Sequence, residues 1–393
     1  MHLFLFFPEI LICVITNKQI MKRISINPRK DYKEKIEGLG FNFHSDYWKE
    51  NAYYSFTSDE IELLEKATAE CYDMYCSAVQ WVIDNDLWEL LHIPRNMVPA
   101  IIESWERDDL SLYGRFDFAF IEEDGKRVPK LLEFNADTPT SLLESSLIQW
   151  AWKDELFHDS DQFNSIHERL VNSWIDINQQ YDSGRYHFAC CRENVEDEEN
   201  LQYLVSTAME AELNTAEIEM EQLLWNEEDN CFYDPSGEKI ETCFKLYPWE
   251  WLQIEAPEAC KGDINWIEPL WKSVMSNKAI LTILYRLFPE SPYILRCKEN
   301  SVGMSSYCKK PIYSREGANV TLVKDEQIIE ESAGDYGEEG YIYQELAELP
   351  CFDGNYPLIG SWVIGGEPAG IGIRECKTKI TDNMSEFIPH IIE

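Results

Sequence analysis

The segment from Tyr113 to Glu144, YGRFDFAFIEEDGKRVPKLLEFNADTPTSLLE, constrains the fold most, because charged residues stand inside its apolar runs. Alternation from Tyr113 to Ile121 is typical of a strand, whose successive side chains point to opposite faces. Arg115 and Asp117 share one face of this strand. The other face carries three aromatic rings, those of Phe116, Phe118 and Phe120. The pattern predicts a strand that buries its aromatic face and presents charges on the other.

A second strand is predicted from Lys130 to Ala136, after the turn signal Asp124-Gly125. Glu133 and Asn135 share one face of it. A strict two-residue turn would pair Asp117 with Leu132 and send Glu133 to the opposite face. An odd-length loop, or a bulge near Pro129, is therefore required to bring the polar residues of both strands together.

With that register, two carboxylates and an amide oxygen converge beside a guanidinium. Oxygen ligands of this kind suit Mg²⁺, which prefers one or two carboxylates together with substrate phosphates. Arg115 would face a phosphate, because its planar fork matches phosphate oxygens. The alternative from these residues alone is a surface hairpin that carries ordinary cross-strand ion pairs.

RFDF followed by LEFNADTPTSLLE resembles the signature of the glutathionylspermidine synthase family. The resemblance spans roughly residues 21–393 and implies an α+β fold of the ATP-grasp ligase type. It implies that Arg115 stabilises the transferring phosphoryl group and that Thr138 and Thr140 touch the acid substrate. It also implies two Mg²⁺ ions, held by Asp117, Glu133 and Asn135. Glutathione-using members tend to have small serines where this chain has Thr138-Pro139-Thr140, so the identity of the acid stays open.

Composition favours a cytoplasmic protein with cationic small-molecule partners. The 34 basic and 72 acidic residues give a net charge of −38, which repels nucleic acid and anionic membranes. A polyamine would suit this charge, although acidity is also a common solubility device. The 12 cysteines form no CxxC pair and the 7 histidines form no metal-binding motif, so structural zinc is not expected. Buried free thiols in a reducing cytosol are expected instead.

The first twenty residues are apolar but make a poor signal peptide, because Pro8 and Glu9 interrupt them and no basic residue leads. We expect residues 1–20 to be an extension outside the fold, and residues 21–393 to form the synthetase-like unit. The alternative is a short strand or a membrane-touching segment.

The last third contains no Walker A sequence and no GxGxxG, so a P-loop or Rossmann nucleotide site is not expected. A lysine and the backbone amides of a glycine loop can hold phosphates instead. The resemblance implies that Lys278 and Lys310 clamp the ATP phosphates while Gly317 lies in the covering loop. It also implies that Gln344 contacts adenine and that Arg374 reaches a phosphate. Singly, each lysine is more typical of a solvated surface.

Acid-rich RENVEDEENL, from Arg192 to Leu201, follows a probable strand and is by itself typical of a solvated face. In the resembled family such a segment supplies carboxylates to the ammonium groups of the polyamine. Glu198 and Glu199 are therefore candidates for the amine site, and Glu386 matches a family acid near the C-terminus.

The order of these motifs along the chain is also informative. Glu133 and Asn135 precede Lys278 and Lys310, whereas ordinary ATP-grasp chains have the lysines first. This is the permuted order of glutathionylspermidine and eukaryotic glutathione synthetases. The resemblance thus implies an ATP-dependent acid–amine ligase that works through an acyl phosphate. The alternative is a polyamine sensor or an inactive ATP-binding protein without ligation.

Overall fold

The computed structural model describes residues 21–43, 47–191, 194–382 and 385–393. The extension predicted for residues 1–20 lies outside the described residues. Met21 is buried, and its backbone N–H donates to Glu60 Oε1 at 2.8 Å. No helix in the described part of the chain is both long and apolar enough to cross a membrane.

The hairpin predicted between residues 113 and 136 lies in a five-stranded antiparallel sheet with the order β19-β18-β17-β3-β4. Its strands are β3 (Tyr113–Glu123), β4 (Lys126–Asn135), β17 (Tyr356–Ile364), β18 (Glu367–Cys376) and β19 (Glu386–Ile388). We call it the hairpin sheet. The first nine residues of β3 are buried, so the interpretation as a surface hairpin is wrong.

The β3–β4 hairpin has a strict two-residue turn and also the bulge that the polar register needs. Glu123 pairs with Lys126 across the turn, and Asp117 pairs with Glu133 beyond a register shift. The unpaired residue is Leu132, three positions beyond Pro129, where the bulge was expected. Because one extra residue restores the alternation, Asp117 faces Glu133 and Arg115 faces Asn135. On the opposite face the rings of Phe116 and Phe134 stack 3.9 Å apart.

A second five-stranded antiparallel sheet, which we call the lysine sheet, lies in sequence between β4 and β17 and has the order β12-β16-β13-β14-β15. Its strands are β12 (Cys297–Lys298), β13 (Tyr307–Pro311), β14 (Thr321–Lys324), β15 (Gln327–Glu331) and β16 (Tyr341–Glu345). The lysine sheet contacts the bulge of β4. Lys310 Nζ donates to the carbonyl of Leu132 at 2.9 Å, and Gln344 Nε2 donates to that of Leu131 at 2.9 Å.

A four-stranded parallel sheet with the order β11-β10-β5-β6 forms a third unit. Its strands are β5 (Tyr186–Cys190), β6 (Thr215–Glu219), β10 (Thr242–Leu246) and β11 (Asn265–Ile267). Ligands of open parallel sheets bind beyond the carboxyl ends of the strands. Smaller sheets are formed by β1 (Lys22–Ser25), β2 (Ala52–Phe56) and β20 (His390–Ile392), and by β7 (Leu224–Asn226), β8 (Cys231–Tyr233) and β9 (Lys239–Ile240).

The longest described helix is α2 (Ser58–Asn85), which begins at a capping box of Thr57 and Glu60. It ends at Asn85, where the following residue, Asp86, takes a left-handed conformation. A π-helical turn, Glu144–Ile148, leads into α4. The other helices are α1 (Tyr32–Glu37), α3 (Val98–Glu106), α4 (Gln149–Leu156), α5 (Ile166–Tyr181), α6 (Val195–Glu210), α7 (Trp249–Glu255), α8 (Lys272–Met275) and α9 (Ile280–Leu287).

The hairpin sheet is covered on its aromatic face by α2, which brings Tyr75 against Phe116 and Phe134. These rings belong to a large hydrophobic core that continues through α8 and α9. Each Å² of buried apolar surface contributes about 25 cal/mol to stability, so such a core is the main source of stability. The charged face of the hairpin is thereby left for a cavity on the other side.

Candidate functional site

A cavity of about 470 Å³ is lined by both the hairpin sheet and the lysine sheet. Most of the residues singled out in the sequence line it: Arg115, Asp117, Glu133, Asn135, Thr138, Thr140, Lys278, Lys310, Gly317, Gln344 and Arg374. Glu198, Glu199 and Glu386 are not among the described residues that line it. Oxygen donors from residues 117–135 and cations from residues 278–374 thus meet around one space.

Asp117 is held between two guanidinium groups. Its Oδ1 accepts from Arg115 Nε at 2.8 Å, and its Oδ2 accepts from a terminal nitrogen of Arg374 at 3.0 Å. Asn135 Nδ2 lies 3.3 Å from the same Oδ2. Arg115 and Asp117 are 4% and 2% exposed, so these charge-assisted contacts are screened little by water. Arg115 also donates to the carbonyl of Thr140, which fixes the direction of its fork.

Glu133 faces the two lysines of the predicted phosphate clamp. Its Oε2 lies 3.4 Å from Lys278 Nζ. Burial raises the pKa of Glu133, but the positive charges of Lys278, Lys310, Arg115 and Arg374 outweigh burial and lower that pKa to about 2. Glu133 is therefore a carboxylate throughout the physiological pH range.

The local backbone structure directs the side chains of Lys278 and Lys310 into the cavity. Lys278 stands just before α9, where its backbone N–H donates to the carbonyl of Ile312 at 3.2 Å. Its Nζ donates to the carbonyl of Ser314 at 2.7 Å. Lys310 lies near the end of β13 and reaches the bulge of β4. Both ammonium groups rest on backbone carbonyls, which a phosphate oxygen could replace or supplement.

Another part of the cavity is apolar. Its apolar residues come from the lysine sheet, β17 and the segment before residue 382: Cys308, Val320, Leu322, Leu346, Leu349, Leu358 and Ile380. Gln344 is 2% exposed beside them. Gly317 has φ +67°, and a Cβ at this position would lie 2.4 Å from the carbonyl oxygen of Thr381. The loop that contains Gly317 therefore needs glycine to approach this wall so closely.

Several residues that line the cavity were missed in the sequence. Arg315 donates to Thr138 Oγ1 at 2.9 Å and to Glu250 Oε1 at 3.1 Å. Its place in a short irregular loop gave no periodicity from which to predict its direction. Tyr47, whose hydroxyl lies 2.6 Å from Ser141 Oγ, was missed for the same reason.

The acid that lines the cavity from the first turn of α6 is Glu196. Helical spacing could have found it, because Glu196 lies one turn before the buried Asn200, on the inward face. Glu199 instead accepts from the backbone N–H of Asn42 at 3.0 Å. Burial, followed by the charge of Asp197, raises the pKa of Glu196 to about 7.

Glu386 also lies outside the cavity lining. Its Oε1 is 3.6 Å from Lys49 Nζ, and its side chain is 40% exposed. The role predicted for it from the resemblance, like those of Glu198 and Glu199, stays a prediction.

The donor set at the hairpin suits an open Mg²⁺ site better than a closed protein cage. Within the described residues, no three His, Cys, Asp or Glu side chains form a group that could hold a metal ion. Two carboxylates and one amide, from Asp117, Glu133 and Asn135, leave positions for phosphate oxygens and water. Mg²⁺ is typically held in this way at phosphoryl-transfer sites.

The relatives of this chain include ligases. It is 37% identical to a protein named as an acid–amine ligase from Haemophilus influenzae, over 94% of this chain and 99% of that protein. It is 31% identical to trypanothione synthetase of Crithidia fasciculata, over 81% of this chain and 53% of that enzyme. The bifunctional glutathionylspermidine synthetase/amidase of Escherichia coli is 26% identical, over 86% of this chain and 59% of that enzyme. The chain thus spans little more than half of the latter two.

A glutathione synthetase-like effector from Globodera pallida shares the fold with a TM-score of 0.55. Sequence identity to it is 9%, over 87% of this chain and 89% of that one. The sequence profile described as glutathionylspermidine synthase preATP-grasp matches residues 23–393, nearly the whole chain. The chain therefore belongs to the glutathionylspermidine synthase family and is a ligase enzyme.

Proposed function

We propose that this protein is an ATP-dependent carboxylate–amine ligase of the permuted ATP-grasp type, which forms an amide through an acyl phosphate. The observation that carries the proposal is the cavity where Asp117 and Glu133 face Lys278 and Lys310. Paired carboxylates beside lysines and arginines are what a metal–triphosphate complex requires. The apolar part of the cavity suits a purine ring.

The ATP would lie with its base in the apolar part of the cavity beside Gln344 and its phosphates toward Lys278 and Lys310. The loop that contains Gly317 would cover the phosphates, and Arg374 would reach one of them. Mg²⁺, expected as two ions held by Asp117, Glu133 and Asn135, would neutralise charge on the phosphate oxygens when bound. Lys278 and Lys310 supply further positive charge without any proton transfer.

The acid substrate would approach along Thr138 and Thr140. Its carboxylate oxygen would attack the γ-phosphorus in line, and ADP would leave with the electron pair of the broken P–O bond. Arg115 is already oriented by Asp117 and by the carbonyl of Thr140. A cation held in place before the reaction stabilises the transferring phosphoryl group without reorganisation, which is often the largest catalytic contribution. The neutral nitrogen of the amine would then form the C–N bond, phosphate would leave with the electron pair of the broken C–O bond, and the proton lost by the nitrogen would pass to water.

A cationic amine would need a carboxylate of the site near its ammonium group. Glu196 is the acid of the α6 segment that lines the cavity, so we assign it the attraction of the ammonium group. The acid would be a glutathione-like or other peptide acid, and the amine would be polyamine-like, in a cytoplasmic enzyme. Eleven cysteines of the described residues are free thiols, which supports a reducing compartment.

The test is ADP release by the purified protein with ATP, Mg²⁺ and pairwise combinations of peptide acids and polyamines. We expect one pair to accelerate ADP release and to yield an amide product by mass spectrometry. Hydroxylamine in place of the amine should trap the acyl phosphate as a hydroxamate. Tight ATP binding without turnover for every pair, unaffected by Asp117→Asn, would instead support a sensor or an inactive binding protein.

A further inference from the structure

A buried ion pair lies directly behind the loop that carries the two threonines. Lys245 Nζ is 2.7 Å from Asp137 Oδ1, and the two side chains are 0% and 2% exposed. Lys245 also donates to the carbonyl of Tyr247 at 2.9 Å and lies 4.1 Å from the ring centre of Trp249. Asp137 Oδ2 accepts from the backbone N–H of Trp249 at 2.7 Å. Both carboxylate oxygens are therefore committed to the segment around Trp249.

This ion pair joins two units that are far apart in the chain. Lys245 lies at the carboxyl end of β10 in the parallel sheet. Asp137 lies two residues after Asn135, at the end of the hairpin sheet, and directly before Thr138. The parallel sheet thus sets the course of the chain as it leaves β4 for the cavity wall.

The first turn of α7 holds the phosphate-covering loop as well. Arg315 donates to Glu250 Oε1 at 3.1 Å and to Thr138 Oγ1 at 2.9 Å, and it lies over the ring of Trp251. Trp249 and Glu250, neighbours in one helical turn, therefore anchor two loops. Trp249 holds the loop of Thr138 and Thr140 through Asp137, and Glu250 holds the loop of Gly317 through Arg315. Neither Asp137 nor Lys245 lines the cavity itself among the described residues.

A buried ion pair is not needed for stability, because apolar residues of similar volume stabilise a core as well or better. What the pair supplies is a fixed position, since Lys245 Nζ and the backbone N–H of Trp249 each hold one oxygen of the Asp137 carboxylate. We propose that Asp137 and Lys245 are positioning residues for the acid substrate: their ion pair holds residues 136–140 where Thr138 and Thr140 can reach the bound acid. This inference rests on the proposed function for its substrate, but not for the loop geometry.

The test compares Asp137→Asn, Lys245→Met and the double variant with the wild-type enzyme. Each single change should lower the unfolding midpoint by about 5–10 °C, because it leaves a buried charge unpaired. The double variant should recover most of that loss. All three should raise the KM for the acid by roughly 10–100-fold, while the KM for ATP changes less than about twofold.

A matched control is the equally buried pair Arg29–Glu50, with 2.6 Å between its charged atoms. The double variant Arg29→Met with Glu50→Gln should leave the acid KM unchanged. If the acid KM of the Asp137/Lys245 double variant returns to the wild-type value together with its stability, the pair is merely structural and the proposal is overturned. An equal rise of the acid KM in the Arg29/Glu50 control would overturn it too.

Hydrogen exchange of the peptide that covers residues 133–143 gives a readout independent of ligation. We expect faster exchange in the Asp137/Lys245 double variant than in the wild type or the Arg29/Glu50 control. Equal protection in all three would overturn the proposal even if no acid–amine pair were found. Absence of turnover in the wild type, with the exchange result as expected, would count against the proposed function alone.

Discussion

The side chain of Arg115 crosses the backbone of Gly360 on the neighbouring strand, where a Cβ would lie 2.8 Å from Arg115 Cδ. Gly360 pairs with Asp117 across β3 and β17, so the missing side chain opens a path for the guanidinium. Space for the proposed catalytic arginine is thus provided by a residue that contributes no chemistry.

Gly360→Ala should therefore displace Arg115 without removing any functional group. We expect kcat for ADP release to fall roughly 10–100-fold, because small misplacements of a catalytic group are costly. The unfolding free energy should fall by only about 1–3 kcal/mol, as for other overpacked sites. Gly184→Ala is the control, since its Cβ would meet nothing within 4 Å. Normal kcat in Gly360→Ala would show that Arg115 is not needed in its present place.

Neighbouring lysines on β13 provide a matched pair for the phosphate clamp. Lys310 lines the cavity, whereas Lys309 lies over the ring of Tyr341 at 3.8 Å. Lys310→Met should raise the KM for ATP by roughly 10–100-fold, the value of a hydrogen bond to a charged group. Lys309→Met should leave it within about twofold. Equal effects of the two changes would contradict the assignment of Lys310 to the phosphates.

Variants of Glu196 and Glu199 distinguish the acid that lines the cavity from an acid that was predicted from the sequence. Glu196→Gln should raise the KM for the amine by roughly tenfold, because a charged contact is lost. Glu199→Gln should leave that KM unchanged. The pKa of Glu196 is raised to about 7, by burial first and then by Asp197, so its carboxylate is lost as pH falls below that value. Steady-state kinetics between about pH 6 and about pH 8, on either side of the Glu196 pKa, should show that the KM for the amine rises as the pH falls.

The stability of the protein should fall with rising pH because of Glu144. This side chain is 0% exposed, and neither carboxylate oxygen has a hydrogen-bond partner among the described residues. Burial, then the charge of Glu196, raises the pKa of Glu144 to about 8. The folded state therefore keeps a proton that the unfolded chain releases above its ordinary value of 4.5.

The sign follows from that difference, because stability falls wherever the folded state binds more protons. Between the two pKa values the loss should approach about 1.4 kcal/mol per pH unit. Glu144→Gln should remove this contribution, so its unfolding free energy should depend less on pH than that of the wild type. Denaturant titrations at a series of pH values measure the slope. Identical slopes would mean that Glu144 is ionised in the folded protein.

The face of the hairpin on which each residue lies could be predicted because strand alternation is a local property. Arg115 and Asp117 lie on the polar face as expected, and the need for a bulge followed from counting residues. The position of the bulge could not be predicted. It coincides with carbonyls that accept from Lys310 and Gln344, which are far away in sequence.

The acid that lines the cavity from α6 was harder to predict for a similar reason. An acid-rich helix start offers several carboxylates, and helical spacing selects Glu196 only once the inward face of α6 is known. The direction of Arg315 depends on Thr138 and Glu250, which come from two distant segments. Local pattern therefore located the segments, whereas tertiary contacts selected the side chains.

The bulge at Leu132 constrains the length of β4 more strictly than it constrains the amino-acid composition of that strand. Deleting Leu132 would keep Glu133 opposite Asp117 but would remove the carbonyl that accepts from Lys310. Inserting one residue between Leu132 and Glu133 would instead turn Glu133 toward the aromatic core and turn apolar side chains toward the cavity. Surface loops of the same protein can gain or lose residues at little cost. Evolution of substrate preference is thus expected to proceed by exchange of side chains around an invariant strand, and by insertions only in the loops beyond it.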